Sequence, residues 1–376
     1  MKKVLVFISA AALLFASCSK IAETGSVAND QEITFQTATH VTKVTGSVFP
    51  TTETFSVYAW TEASVLPYFM ENETVAFNGT DWKTQGATYY WPKSSTVDFI
   101  AYYPTGLNGI TVAEKKITFT GIDANTLQED IMYSDKAAGF SNNVDLMSDG
   151  VNQYTGVPLI FRHALAKVKV IVELAYNHKA EADGTVTDWA VKVNSLNVND
   201  IFTTGSCVLN LDTTPAEGII GWTRPQDADG HFVWTPTTAT TNFAGLTDQS
   251  IVPGTEYEAI SERYVLPQTL AAGSQTISVD LTIETTRNSV KVLEEKNIVR
   301  TANLFVSTLP AWEMNHVYTY RLVLTPTASN GNGGNPFGPN DPPVDPNDPN
   351  LDDVIITFDP AVDGWENIGV ETVLNI

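Results

Sequence analysis

Val157-Pro158-Leu159-Ile160-Phe161-Arg162-His163-Ala164-Leu165-Ala166-Lys167-Val168-Lys169-Val170-Ile171-Val172 is the stretch that decides the fold class. Its back half sets Val against Lys at alternate positions, the period of a strand with one buried and one solvated face. The rest of the chain agrees. Thr, Val, Ile and aromatic residues dominate, helix-period stripes are scarce, and turn signals recur about every ten residues, which predicts an all-β protein built of β-sandwiches. Some 300 ordered residues exceed what one core usually holds, so two domains are expected.

On the N-terminal side, Val97-Asp98-Phe99-Ile100-Ala101-Tyr102-Tyr103 is a near-continuous apolar strand stopped by Pro104 and Gly106, preceded by Tyr89-Tyr90-Trp91-Pro92. Phe55-Ser56-Val57-Tyr58-Ala59-Trp60 alternates as a half-buried strand, and Glu32 to Phe35 opens the first region. These aromatics read as the core of the first domain, with a sugar-stacking platform as the alternative. A Gly/Asn/Asp loop runs from Gly139 to Gly156. On the C-terminal side, strands are predicted at Trp189 to Val193, Ser195 to Val198, Ser206 to Leu211, Glu258 to Leu266, Thr276 to Ile283, Arg300 to Phe305 and Val317 to Leu324, with turns at Asp183-Gly184 and Ala272-Gly273.

Beyond Pro326 the composition changes. Gly331, Gly333, Gly334 and Pro336, Pro339, Pro342, Pro343, Pro346 and Pro349 exclude a helix or a central strand and read as a semi-extended tether. About 25 such residues reach roughly 75–80 Å when extended. The tether ends in Val354-Ile355-Ile356-Thr357-Phe358-Asp359-Pro360-Ala361-Val362, a strand pattern set apart from its domain and able to reach a neighbouring molecule. Its spacing Ile356-Thr357-Phe358 then Ala361 repeats Ile33-Thr34-Phe35 then Ala38, as if one strand could replace the other in one groove. Ile117-Thr118-Phe119 shows that the triplet is also ordinary strand composition.

Lys2 and Lys3, an apolar run from Val4 to Phe15 and then Ala16-Ser17-Cys18 have the layout of a secretory leader, too short to span a membrane. Phe15-Ala16-Ser17-Cys18 resembles the lipobox of bacterial lipoproteins, which makes Cys18 the expected lipidated first residue of the mature chain. Losing the two leader lysines takes the net charge from −22 to −24, which disfavours nucleic acid and anionic membrane surfaces as partners. Cys207 is the other cysteine and reads as a buried strand thiol.

The sequence offers little for catalysis. His40, His163, His178, His231 and His316 are scattered without paired metal-ligand spacing. There is no nucleophile elbow and no phosphate-cradling glycine loop. Asp341, Asp345, Asp348, Asp352 and Asp353 lack the glycine-centred twelve-residue calcium loop and read as solvating charge. The expectation is a protein that is not an enzyme and needs neither metal nor cofactor.

Three blocks together resemble the fimbrillin (Mfa-like, FimA-type) lipoproteins of Bacteroidetes. They are Tyr90-Trp91-Pro92 followed by Val97 to Pro104, Pro158 to Val168, and Trp312-Glu313-Met314-Asn315-His316-Val317-Tyr318-Thr319-Tyr320. The resemblance implies two tandem transthyretin-like Greek-key β-sandwich domains with a tethered C-terminal strand. It also implies outer-membrane export and assembly with other pilin subunits into a type V fimbria for adhesion. A protease then removes the first strand, and the C-terminal strand of another subunit fills the groove. The expected division is a leader at 1–17, an N-terminal tether at 18–31, sandwiches at 32–157 and 158–326, a linker at 327–353 and a donor segment at 354–376. Ile355, Ile356, Thr357 and Phe358 are the candidate donor strand. Stalk subunits of the family are cut after an Arg beyond the first strand, whereas here the matching loop holds only Lys43, the candidate processing site. Two alternatives to a stalk pilin stay open: a tip or accessory subunit that keeps its first strand, and a monomeric glycan-binding surface lipoprotein.

Overall fold

The computed structural model describes residues 32–38, 49–61, 68–93, 95–113, 115–141, 156–210, 222–223, 241–305, 307, 309–328 and 352–364. Cys18, Lys43, His40 and His231 lie outside them. Among the described residues the chain is built almost wholly of strands. In order these are β1 (Phe35–Ala38), β2 (Thr54–Thr61), β3 (Met70–Phe77), β4 (Trp82–Thr84), β5 (Val97–Tyr103), β6 (Ile110–Ala113), β7 (Lys116–Asp123), β8 (Met132–Ser134), β9 (Ala137–Phe140), β10 (Val157–His163), β11 (Ala166–Leu174) and β12 (His178–Ala180). There follow β13 (Val186–Asn199), β14 (Thr204–Asn210), β15 (Trp222–Thr223), β16 (Thr241–Ile251), β17 (Tyr257–Val265), β18 (Gln268–Thr269), β19 (Thr276–Arg287), β20 (Val290–Asn303), β21 (Ala311–Trp312), β22 (His316–Ala328) and β23 (Asp352–Gly364). One helical turn, α1 (Ala124–Leu127), is capped by Asp123, whose carboxylate accepts from the Asn125 amide at 3.0 Å.

The first half does not form two separate facing sheets. The order β2-β3-β4-β1-β10-β8-β5 closes because β5 also pairs with β2, and β9 hangs on β5. This ring encloses Ile33, Phe35, Phe55, Val57, Phe99 and Leu159. A second sheet, β15-β14-β7-β6, lies against the outside of β5. Hence Val97, Phe99 and Ala101 point into the ring while Ile100 and Tyr102 face a second core with Phe119, Trp222 and Leu266. Burial on both faces is the physical reason that β5 reads as continuous apolar sequence. The aromatics of this half are mostly core, as expected: Phe99, Tyr102, Tyr89 and Trp91 are buried, and Tyr90 is exposed.

The sheets do not part at residue 157. β10 belongs to the ring, and β14 and β15 join β6 and β7. Past residue 166, two sheets, β17-β11-β22-β23 and β12-β13-β19-β20 with β16 on β13, face each other around one core. In β11, Ala166, Val168, Val170, Val172 and Leu174 are fully buried, and Lys167 and Lys169 reach Glu262 and Glu258 on β17 at 2.9 and 2.8 Å. Exposed pairs of this kind contribute about 0–1 kcal/mol, so the alternation itself holds the sheet. The Trp312 to Tyr320 block locks the same core. Trp312 Nε1 donates to the Tyr320 hydroxyl and the Glu313 amide to the Tyr318 hydroxyl, both at 2.7 Å.

Cys207 sits on β14, buried against Phe119 and Trp222, and burial pushes its thiol up to about 12. The thiolate fraction near neutrality is then about a thousandfold below that of an ordinary thiol. In a Cys18→Ala chain, alkylation by iodoacetamide should proceed only as fast as unfolding exposes Cys207. Prompt modification of the folded protein would contradict this placement.

Candidate functional site

The structure places the first strand in a groove. β1 lies between β10, with which it runs parallel, and β4, with which it runs antiparallel. Among the described residues its register has four pairs to β10, from Phe35↔Val157 to Ala38↔Ile160, and one to β4, Phe35↔Trp82. The segment before it adds the Ile33 amide on Tyr89 O at 2.9 Å, the Val157 amide on Thr34 O at 2.8 Å and a Glu32–Tyr90 bridge. Lys83 Nζ donates to Glu32 Oε2 at 2.6 Å, and this hydrogen bond raises the ammonium above its ordinary value.

Side chains hold it as well. Ile33 is 1% and Phe35 3% exposed. Phe35 stands edge-on to Phe55 and Phe99 with ring centroids 6.3 and 5.7 Å apart. Such edge-to-face contacts add about 0.5–1.5 kcal/mol beyond burial. The groove therefore recognises an apolar residue and, two positions on, an aromatic one. Polar pairs link its neighbouring strands: Arg162 on β10 makes a forked pair with Asp135 at 2.6 and 2.9 Å, and His163 Nδ1 meets Asp130 Oδ2 at 2.6 Å.

Gly156, just before β10, is part of this site and was not evident from sequence. A Cβ there would come within 2.8 Å of Thr34 O and of the Phe35 carbonyl carbon, so only glycine lets β1 approach. Its one sequence signal is its place at the end of the long Gly/Asn/Asp loop. Gly156→Ala should loosen β1 without opening the rest of the ring, seen as amide exchange at Phe35 to Ala38 at least about tenfold faster while β5 is unchanged. Unaltered exchange at β1 would mean the contact relaxes without consequence.

The candidate donor strand does not meet the groove in this chain. Ile355, Ile356, Thr357 and Phe358 fall in β23, which pairs antiparallel with β22 of the same chain at the edge of its sheet. Ile356 and Phe358 lie opposite Leu324 and Leu322, both fully buried, and Thr357 lies opposite Val323. The tethered strand is thus seated on its own second half, where the sequence suggested a strand free to leave. Alternation alone does not reveal this, because β22 offers the same ladder to any strand of that pattern.

The described histidines have local partners: His163 with Asp130, His178 Nδ1 with Asp188 Oδ1 at 2.6 Å, and His316 Nδ1 with Met314 O at 2.7 Å. Among the described residues no three His, Cys, Asp or Glu side chains converge as metal ligands.

A fimbrillin-like family model matches residues 42–336. A fimbrial protein of Bacteroides vulgatus has a similar fold, with a TM-score of 0.54 at 15% identity, over 89% of this chain and 99% of that one. A proposed cell adhesion protein of Bacteroides uniformis follows at 0.44, 16% identical over 89% and 99%. The fimbrilin of Porphyromonas gingivalis scores 0.38, 10% identical over 79% and 90%. No curated protein matches the chain. With the model match covering most of its length, the chain belongs to the fimbrillin-like family.

Proposed function

We propose that this protein is a structural subunit of a type V fimbria, exported as an outer-membrane lipoprotein through Cys18 and assembled by strand exchange for adhesion. Its partners are other pilin subunits, and a host or bacterial surface glycan or protein is the candidate adhesion ligand. In this reading the two halves are variants of the transthyretin-like sandwich, the second with two facing sheets and the first with its strands joined into a ring.

The groove of β1 is the observation that carries the proposal. It has a strand on each side and is deep in apolar contact, so another strand with the same apolar face can take the place of its occupant. Ile356, Phe358 and Ala361 repeat the spacing of Ile33, Phe35 and Ala38. A donor in that register would put Phe358 between Phe55 and Phe99. Burying two large apolar side chains contributes about 1.5–3 kcal/mol each, alongside the main-chain ladder.

A second reading, a tip or accessory subunit that keeps β1, has its own support: β1 is seated, and the loop holds Lys43 where stalk subunits carry Arg. Sequencing the N-terminus of SDS-resistant multimers from cell surfaces separates the two. A start at Val44 supports a stalk role. Multimers that begin at a lipidated Cys18 support retention of β1. Cys18-linked monomers with no multimers would sink assembly altogether.

A further inference from the structure

We infer that the fold is a mechanical clamp, with two parallel strand pairs placed so that a pull along the fibre loads both in shear. The inference rests on the strand-exchange reading for where force enters, and on observed topology for what force then meets.

A donor strand lying as β1 lies runs parallel to β10. It is attached to its own subunit through the tether at its N-terminal end, so tension draws it by that end. β10 passes the load on from its C-terminal end, because only Ala164 and Leu165 separate it from β11. In a parallel pair these two ends lie at opposite ends of the ladder. The strands are pulled past each other and not apart.

The same geometry recurs at once. β11 is drawn from its N-terminal end by β10, while β22 is drawn from its C-terminal end, where the chain leaves for the tether. β11 and β22 are parallel over eight consecutive register pairs without a shift, from Lys167↔Val317 to Leu174↔Leu324. Both ends of this ladder are fastened. The Asn315 amide donates to Leu165 O at 2.9 Å, and the Ala175 amide donates to Leu324 O at 2.9 Å. The Tyr176 hydroxyl bonds Pro326 O at 2.5 Å, and Arg321 bridges to Glu173 at 2.9 Å. Val168, Val170 and Val172 on one strand and Tyr318, Tyr320, Leu322 and Leu324 on the other anchor the pair in a single core.

Shear stretches all eight pairs together, whereas peeling from one end breaks them in turn, so the same ladder resists the two directions differently. Had the donor met β10, or β11 met β22, in an antiparallel pair, the same pull would peel them. The parallel arrangement therefore suits a subunit that carries tension through its own body.

Single-molecule pulling on the chain from residue 19, with handles at named positions, tests this without any polymer. Handles at Gln153 and Ser329 load β11 and β22 in shear. Handles at Ala175, exposed directly after β11, and Ser329 draw both strands from their C-terminal ends and peel them. The first geometry should need at least about twofold more force at the same pulling speed, since forced unfolding reports the barrier along the pulled direction. Equal or lower force in the shear geometry would overturn the clamp. Because one folded monomer serves both measurements, failure to form multimers would count against strand exchange and leave the clamp result standing.

Discussion

Phe35→Ala should lower the unfolding free energy of the first half by about 3–5 kcal/mol, the usual cost of emptying a buried aromatic site. The size follows from where the ring sits. Phe35 is 3% exposed on a strand of four residues, edge-on to Phe55 and Phe99, which are themselves fully buried. The surrounding strands form a closed ring and cannot easily collapse into the space. The Phe35 ring is the buried aromatic anchor of β1 in the groove, so the variant should also release β1 ahead of global unfolding. Urea melts followed by Trp fluorescence, with exchange at β1 amides, measure both effects. A loss under about 1 kcal/mol would mean that the groove does not depend on this side chain, and that an aromatic at the matching donor position is not required either.

How much of this was open to reading from residues varies with the range of the interaction. Strands whose pattern is set by one buried face, such as β11 with Val168, Val170 and Val172, were legible because period two reports local geometry. β5 was legible for the complementary reason, burial on both faces. The sequence pattern predicts two strands within β13, one ending at Val193 and one starting at Ser195. The structure has one strand with a register shift there, where Asn194 bonds Asp280 and Thr282 on β19. A bulge and a break look alike in sequence. β16 has no counterpart in the sequence pattern: Thr241 to Ile251 lacks clean alternation, and pairing with β13 imposes its strand form. Gly245 shows how tertiary that form is, since a Cβ would meet Ala259 O and Ile260 Cγ1, each at 2.7 Å. The strand character of both ends of the chain was legible, but neither partner was. Choosing β10 for β1 and β22 for β23 depends on groove shape, which no local pattern encodes.

The largest effect on assembly is expected at the other end. Placing Asp at Phe358 should abolish multimers, while Asp at Thr357 should leave them in place. In a groove matching that of β1, position 358 falls where Phe35 now packs, and an ionised carboxylate there has no partner among Phe55, Phe99 and Leu159. Burying an unpaired carboxylate costs at least about 4 kcal/mol, roughly a thousandfold in the strand-binding equilibrium. Position 357 lies on the alternate face and escapes that cost if the face stays solvated. The seat of β23 on β22 makes the comparison more demanding, because position 358 stands opposite buried Leu322 in the resting chain as well. Phe358→Asp should therefore weaken two pairings, one within the chain and one between chains. Thermal melting of the monomer reads the first, and the multimer ladder after removal of residues 19–43 reads the second. A small shift in melting with a lost ladder fits exchange. A monomer that unfolds or aggregates on this substitution would instead assign β23 to its own domain, and a ladder that persists with Asp at 358 would remove the segment from the assembly mechanism.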